Sequence, residues 1–146
     1  MMQPQQQPQG QPQAQPQQAQ GKPTPSTDIL WKSAQGKIPP GTTPGKFFAG
    51  VKHILDNGGH LFQIGETVFV LQPRAPGVVQ FHMASQEPVQ QLVQHFKTGA
   101  QHMKKLGAKK VFAITPEPAY ARIARMTGLP VKVSRDPQGY RLELDL

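Results

Sequence analysis

The chain has 146 residues, contains no cysteine, and carries 16 basic against 8 acidic side chains, a formal net charge of +8. The length suits one domain, and the lack of cysteine excludes a disulfide framework, an iron–sulfur cluster and a cysteine nucleophile. No apolar run approaches the roughly 20 residues of a membrane-spanning helix, and no signal-peptide pattern is present. Composition therefore predicts a soluble, basic protein of a reducing compartment that does not contact a membrane.

The first 26 residues differ in composition from the rest. Met1 to Gly21 is rich in Gln, and proline recurs at every fourth position from Pro4 to Pro16. Proline disfavours helix in the residue before it, and a segment without large apolar side chains cannot offset its ordering entropy. We expect residues 1–26 to form an extended or disordered arm, either a solubilising tail or a segment that orders against a partner protein. One domain follows over residues 27–146.

The domain begins with an apolar patch and a helix. We interpret the patch, Asp28 to Trp31, as an edge strand or an anchor for the arm. Thr43 and Pro44 then predict a helix start, with Thr43 as the cap and Pro44 in the first turn. Apolar residues follow at helical spacing until Asn57-Gly58-Gly59 stops the helix.

Three strand-like runs come next, separated by short turns that predict an antiparallel meander. They are Leu61 to Ile64, Thr67 to Leu71 and Val78 to Ala84. A long amphipathic helix over residues 88–106 follows, with an apolar stripe on one side and Gln and Lys on the other. Lys104 and Lys105 lie in its last turn, where cations suit the helix dipole, and Gly107 is the predicted C-terminal cap.

The last third of the chain predicts a buried strand, a second short helix and a terminal hairpin. The strand is Lys110 to Ile114, the helix Pro116 to Met126, and the hairpin joins Val131 to Ser134 with Tyr140 to Leu144. The order of elements predicts an α/β (α+β) domain, with a mixed sheet of about six strands and three helices.

The stretch LGAKKVFAITPEPAYARIARMTGLPV, Leu106 to Val131, resembles the GNAT N-acetyltransferase superfamily. In that family a long helix ends at a glycine, a strand follows, and a short helix leads to a Gly-Phe step before the last strands. Gly128-Leu129 stands at that step here. The order of elements from Thr43 to Leu146 is similar as well. The resemblance implies a GNAT-like fold and, in an active member, acetyl-CoA bound at the start of the long helix.

The stretch that corresponds to the family's cofactor loop departs from its pattern. The family has Arg or Gln, two residues, Gly, one residue, then Gly or Ala, whereas the matching stretch contains no glycine. The stretch consists of Met83, Ala84, Ser85, Gln86, Glu87, Pro88 and Val89. Glu87 adds a negative charge where a pyrophosphate would bind, and Pro88 lacks an N–H donor. We therefore expect no cofactor, and these seven residues would hold acetyl-CoA only if the chain is an acetyltransferase.

No catalytic residue is assigned from the sequence. The family often places Tyr four residues before the late glycine, a position that is Ala124 here, and Tyr120 lies one helical turn earlier. Glu66 and Glu117 are the carboxylates that we consider as a general base. An acetyl-CoA-dependent N-acetyltransferase that uses these residues is the first alternative function.

Within the superfamily the chain resembles the GNAT-like proteins of tailed-bacteriophage virions. The likeness lies in ILWKSAQGKI near the start of the domain, in Gly58 to Phe62 at the opening of the sheet, and in the altered cofactor loop. It implies a non-catalytic interaction protein, internal or tail-associated. Such a protein is made in the host cytoplasm and packs against other virion structural proteins.

Two further features bear on partners. Trp31 either covers the edge of the domain or anchors an interface. A basic cluster could contact DNA phosphates weakly, which makes a nucleic-acid-associated module the second alternative, although the cluster lacks aromatic residues for base stacking and also fits a solvated surface. The cluster consists of Lys104, Lys105, Lys109 and Lys110. No metal site is expected, because His95 and His102 lack a third ligand nearby.

Overall fold

The computed structural model describes residues 24–146. Residues 1–23 of the predicted arm lie outside the described residues. Thr24 and Pro25 lead into the first helix, which begins at Ser26, the last residue of that arm. The helices are α1 (Ser26–Ala34), α2 (Pro44–Asp56), α3 (Val89–Lys105) and α4 (Pro118–Met126). The strands are β1 (His60–Ile64), β2 (Thr67–Ala75), β3 (Val78–Ser85), β4 (Lys110–Thr115), β5 (Lys132–Asp136) and β6 (Gly139–Asp145).

The six strands form one sheet in the order β1-β2-β3-β4-β6-β5. All neighbours are antiparallel except β3 and β4, which run parallel. The predicted mixed α/β sheet of six strands is therefore confirmed, with its meander at one end and its terminal hairpin at the other. Among the described helices, none has the length and apolar content to cross a membrane.

Helix α1 corrects one of the two interpretations of the apolar patch, the edge strand, and raises the number of helices from three to four. The apolar patch lies inside α1, where Ile29 is fully buried and Leu30 is 7% exposed. Both side chains pack against Val68 and Val70 of β2. A patch of four residues is too short to show a helical period, so the sequence did not distinguish a helix from a strand here. Asp28 in the first turn was the available signal, since an acidic side chain suits a helix N-terminus.

Helix α2 begins as predicted. The N–H of Lys46 donates to Thr43 Oγ1 at 3.2 Å, and Pro44 occupies the first turn. The helix ends before Gly59, where an added Cβ would lie 2.6 Å from the backbone oxygens of both Ile54 and Leu71. Glycine is required at that position because the chain passes directly between the helix end and strand β2.

The sheet is covered by helices on both faces. Strand β2 is buried from Thr67 to Leu71, and its side chains alternate between two cores. Phe69 and Leu71 pack with α3 on one face, whereas Val68 and Val70 pack with α1 and α2 on the other. Helix α4 lies on the α3 face, over Leu142 of β6.

Helix α3 is the amphipathic helix that the sequence predicts. Its buried positions are Leu92, Val93, Phe96, Gly99, Ala100 and Met103. Gly107, at φ +103°, follows the helix. The N–H of Gly107 donates to the carbonyl of Lys104, and the N–H of Ala108 donates to that of Met103. These bonds satisfy carbonyls at the helix end, so the predicted glycine cap is confirmed.

Candidate functional site

The candidate site lies where the parallel strands β3 and β4 separate. They pair only over Val78–Gln80 and Lys110–Phe112. Beyond this point β3 continues to Ser85 and β4 to Thr115, each without a partner across the gap. Strand β4 stays paired with β6 along its whole length, so β3 and β4 diverge as the two arms of a V.

A cavity of about 200 Å³ occupies the V. Its wall is largely apolar, and both separating strands, α3, α4 and β6 contribute to it. Apolar lining residues include Phe81, Met83, Phe96, Ala113, Ile123 and Leu142. A largely apolar cavity with a few convergent polar groups is the usual form of a small-molecule site.

The polar groups of the wall include Glu117 and Tyr120, two of the three candidate catalytic residues. Lys37, in the segment that joins α1 to α2, reaches across the V. Its Nζ lies 3.2 Å from Glu117 Oε2 and 5.9 Å from the centre of the Tyr120 ring. The cavity therefore has a carboxylate, a phenol and an ammonium group together on one side.

Glu66, the third candidate, lies outside the cavity lining, in the turn between β1 and β2. Its Oε2 accepts the N–H of Thr24 at 3.1 Å, and its carbonyl accepts the N–H of Gln86 at 3.1 Å. The structure thus places Glu66 beside the loop before α3.

The backbone donors of that loop are already used. The N–H of Gln86 bonds to Glu66, the N–H of Glu87 donates to Ser85 Oγ at 3.0 Å, and Pro88 has no N–H. The N–H of Leu92 makes the first bond within α3, to the carbonyl of Pro88. The N–H groups of residues 89–91 have no hydrogen-bond partner within the helix, as at any helix N-terminus.

The side chain of Glu87 points into the fold. The carboxylate is 4% exposed and lies 2.6 Å from His95 Nδ1. It also accepts a hydrogen bond from the Thr67 hydroxyl, which lies 2.7 Å from Ser85 Oγ. The sequence predicts that this charge faces an incoming pyrophosphate; the structure instead places it against His95, because Gly65 leaves room for it.

The other residues of the candidate cofactor loop have different surroundings. Met83 lines the cavity, and Ala84 is buried on the opposite face of the sheet, against the α1–α2 core. Gln86, Pro88 and Val89 are exposed. The loop therefore contributes one side chain to the cavity, and of its amides from Gln86 onward only that of Val89 is left for a ligand.

His82 is a cavity residue that the sequence did not single out. It lies on β3, and its Nε2 is 3.3 Å from Gln72 Oε1. Partial desolvation of the ring lowers the pKa of His82 below 6.5, and the positive charge of Arg74 adds a smaller effect in the same direction. Lys37 was also missed, since it lies in a loop whose sequence has no motif and only the tertiary fold brings it to the V.

The candidate interaction residues lie in two places. Trp31 belongs to an aromatic cluster between α1 and α2, with its ring centre 5.6 Å from that of Phe47 and 6.5 Å from that of Phe48. The predicted basic cluster lies at the end of α3 and the start of β4. Lys110 is near two carboxylates, at 3.7 Å from Asp145 and 3.9 Å from Glu143.

The remaining lysines of this cluster differ in their surroundings. Lys104 and Lys105 are exposed, and the stem of Lys109 covers Gly77. Within residues 24–146 no group of three or more His, Asp or Glu side chains is arranged to hold a metal ion.

No family model matches the chain, and a search of curated proteins found no match. Solved structures do match. An acetyltransferase from Bacillus subtilis in complex with CoA aligns with a TM-score of 0.50 and 17% identity, over 86% of this chain and 95% of that chain. A GNAT family acetyltransferase from Elizabethkingia anophelis with acetyl-CoA bound aligns with a TM-score of 0.49 and 15% identity, over 87% and 94%. The IAA acetyltransferase from Bacillus cereus gives 0.48 and 13%, over 67% and 84%.

At 17% identity the likeness to the Bacillus subtilis structure concerns the fold. It extends over 86% of this chain and 95% of that chain. The chain therefore has a GNAT-like fold.

Proposed function

We propose that this chain is a non-catalytic GNAT-like interaction protein of a bacteriophage virion, internal or tail-associated, that binds other virion proteins. The observation that supports the non-catalytic part is that the backbone N–H groups of the loop before α3 are already hydrogen-bonded or missing. The amides of Gln86 and Glu87 are already bonded, and Pro88 has no N–H.

The energetic argument concerns the pyrophosphate of coenzyme A. A helix N-terminus binds such a group through several free N–H donors that point at it. Freeing the amides of Gln86 and Glu87 would break two hydrogen bonds, at about 0.5–1.5 kcal/mol for each. This cost acts against coenzyme A.

The interaction part of the proposal is supported at the base of the arm. The N–H of Thr24 is held by Glu66, and the carbonyl of Thr24 accepts from Gln63 Nε2 at 2.9 Å. Ser26 Oγ donates to Gln63 Oε1 at 2.5 Å. The preceding segment therefore joins the domain at a fixed point beside the edge strand β1, which is a suitable root for a binding arm. Assignment to a virion rests on the likeness to phage GNAT-like proteins described above.

Two measurements test this function. A thermal-shift titration with acetyl-CoA is expected to leave the melting temperature unchanged, because the proposed protein does not bind it. A protein that does bind acetyl-CoA would be stabilised by about 2.7 kcal/mol at one hundred times the dissociation constant. Co-sedimentation with intact phage particles is expected for the full chain and is expected to be lost when residues 1–23 are deleted. A clear rise in melting temperature contradicts the non-catalytic assignment, and absence of the full chain from particles contradicts the virion assignment.

The cavity itself favours a second candidate, an acetyl-CoA-dependent N-acetyltransferase. Tyr120 and Glu117 lie in its wall, where a phenol and a carboxylate can serve as acid and base. Release of free coenzyme A from acetyl-CoA in the presence of amines tests this candidate. An active enzyme would lose that release in Tyr120→Phe and Glu117→Gln and keep it in the control Tyr140→Phe, whereas the first proposal predicts release at the level of a protein-free blank.

A further inference from the structure

The two helices on one side of the sheet carry positive charge alone. Within α3 and α4, from Val89 to Lys105 and from Pro118 to Met126, there are basic side chains and no aspartate or glutamate. The basic residues are Lys97, Lys104, Lys105, Arg122 and Arg125. In α4, Arg122 and Arg125 are exposed and lie three residues apart, so their side chains are neighbours on the surface of the helix.

The carboxylates near these helices do not neutralise them. Glu87 is buried against His95, and Glu117 is paired with Lys37 at the cavity. Leu142 and Leu144 of β6 face the α3–α4 core. Since side chains alternate along a strand, the carboxylates between and after them face the other side of the sheet.

Contacts on that other side agree with this placement. The guanidinium of Arg141 lies 3.9 Å from the centre of the Phe112 ring and 3.1 Å from Glu143 Oε2. Among the described residues, none of the α3 and α4 cations has a carboxylate within 4.0 Å.

The exposed stripe of α3 is built from hydrogen-bond donors. It runs along the helix and contains Gln90, Gln91, Gln94, Thr98, Gln101, Lys104 and Lys105. The helix has 17 residues, so the stripe is about 25 Å long at 1.5 Å per residue. Amides, hydroxyls and ammonium groups are among the side chains that contact nucleic-acid phosphates.

We propose that the outer surface of α3 and α4 binds the phosphate backbone of duplex DNA without sequence preference. This surface, defined by the α3 stripe together with Arg122 and Arg125, is called the α3–α4 face below. The inference goes beyond the proposed function and does not depend on it. The exposed positions of the two helices carry no Phe, Tyr or Trp side chain, and single-strand binding relies on stacking of bases on such rings. A duplex keeps its bases stacked and presents its phosphates on the outside, which matches this surface.

The neighbouring edge strand adds charge to the same side. Arg135 and Val133 are two residues apart on β5 and therefore face the same way, and Val133 packs toward α4. The guanidinium of Arg135 lies 5.2 Å from the centre of the Tyr140 ring, which holds it beside the helix. An acidic protein is a poorer match, because protein interfaces have an apolar centre, whereas the exposed large apolar residues of the two helices and of the α3 cap all lie at helix ends. These residues are Val89, Leu106 and Met126.

The test compares two triple variants of the full chain with equal net charge. K104Q/R122Q/R125Q removes three cations from the α3–α4 face, and K32Q/K46Q/K52Q removes three from α1 and α2. Both lower the formal charge from +8 to +5. Fluorescence anisotropy with a labelled duplex of mixed sequence measures binding over a salt series, and circular dichroism shows that both variants stay folded.

The chain itself is expected to bind the duplex with an affinity that falls steeply as salt rises. The slope of log K against log salt is about −0.9 for each phosphate neutralised. K104Q/R122Q/R125Q is expected to make the slope shallower by roughly 2 to 3, while K32Q/K46Q/K52Q keeps it.

Three outcomes overturn the proposal. One is an equal loss of slope in both variants, which would mean that net charge alone governs binding. The second is tighter binding of a single-stranded oligonucleotide than of the duplex. The third is displacement of the duplex by polyglutamate at a lower concentration of charge than unlabelled duplex needs, which would identify an acidic protein as the partner.

Discussion

The two helical layers of this protein both pack apolar side chains against the sheet but present different outer surfaces. The α1–α2 layer carries Asp28 and Asp56 beside its lysines, and Lys52 pairs with Asp56 at 2.6 Å. The α3–α4 layer carries cations and no carboxylate. Because the fold requires only the inward face of each helix, this one-sided charge on the outer face is not explained by core packing, which is why it points to a partner.

The largest expected effects are losses of stability from one large-to-small substitution in each of the two cores. Phe69 is fully buried under α3, and Phe69→Ala is expected to lower the free energy of unfolding by about 3–5 kcal/mol. Ile29 is fully buried in α1, and Ile29→Ala is expected to lower it by about 2–5 kcal/mol. Urea unfolding measures both. If Ile29→Ala leaves stability unchanged, α1 is not docked on the sheet in solution.

The next effect concerns two carboxylates. Glu87→Ala removes the partner of His95 and of the Thr67 hydroxyl inside the fold, and it is expected to destabilise by about 1–3 kcal/mol. Asp56→Ala removes an exposed pair on α2 and is expected to cost less than about 0.5 kcal/mol. Chemical unfolding at neutral pH compares them, and equal losses would contradict the buried role of Glu87.

A third comparison uses the same substitution in one helix of each layer. A Cβ on Gly99 of α3 would lie 2.7 Å from the ring of Phe69, which is fully buried and stacked on Phe62 at 4.8 Å. Gly99→Ala is therefore expected to be destabilising, since overpacking costs about 1–3 kcal/mol and outweighs the gain in helix propensity.

The matched control is Gly50→Ala in α2, where nothing lies within 4 Å of the added Cβ. It is expected to stabilise by up to about 1 kcal/mol through helix propensity. Thermal unfolding of both variants measures the sign, and stabilisation by Gly99→Ala would disprove the close approach of α3 to the sheet.

The smallest expected effect is the pH dependence from His82. Its pKa is lowered in the fold, so between the usual value of 6.5 and the lower folded value the unfolded chain binds the proton more readily. Stability is therefore lost as pH falls through this range, and His82 makes no difference at pH well above 6.5. His82→Gln is expected to weaken this acid loss, and exposed His60→Gln serves as the control in urea unfolding at pH 8 and below 6.

Elements with long periodic patterns or clear caps were predictable. The stripe of α3, the Thr43 cap of α2 and the terminal hairpin follow from residues that are close in sequence, and the structure has all three. Helix α1 was not predictable as a helix, because its short apolar patch fits either period. For the site, the sequence suggested Tyr120 and Glu117 through the family resemblance, but it gave no sign that Lys37 and His82 share their cavity.

What the sequence determined by itself is local: which segments are helices or strands, that Pro88 lacks a donor, and that α3 and α4 contain no acidic residue. Only the tertiary structure decided that Glu87 turns inward to His95 and that the carbonyl of Glu66 accepts the N–H of Gln86. It also decided that the carboxylates of β6 lie on the side of the sheet away from the α3–α4 face. The physical reason is that periodicity and capping depend on neighbours a few residues apart, whereas pairing of buried charges and the facing of surfaces depend on contacts between residues far apart in the chain.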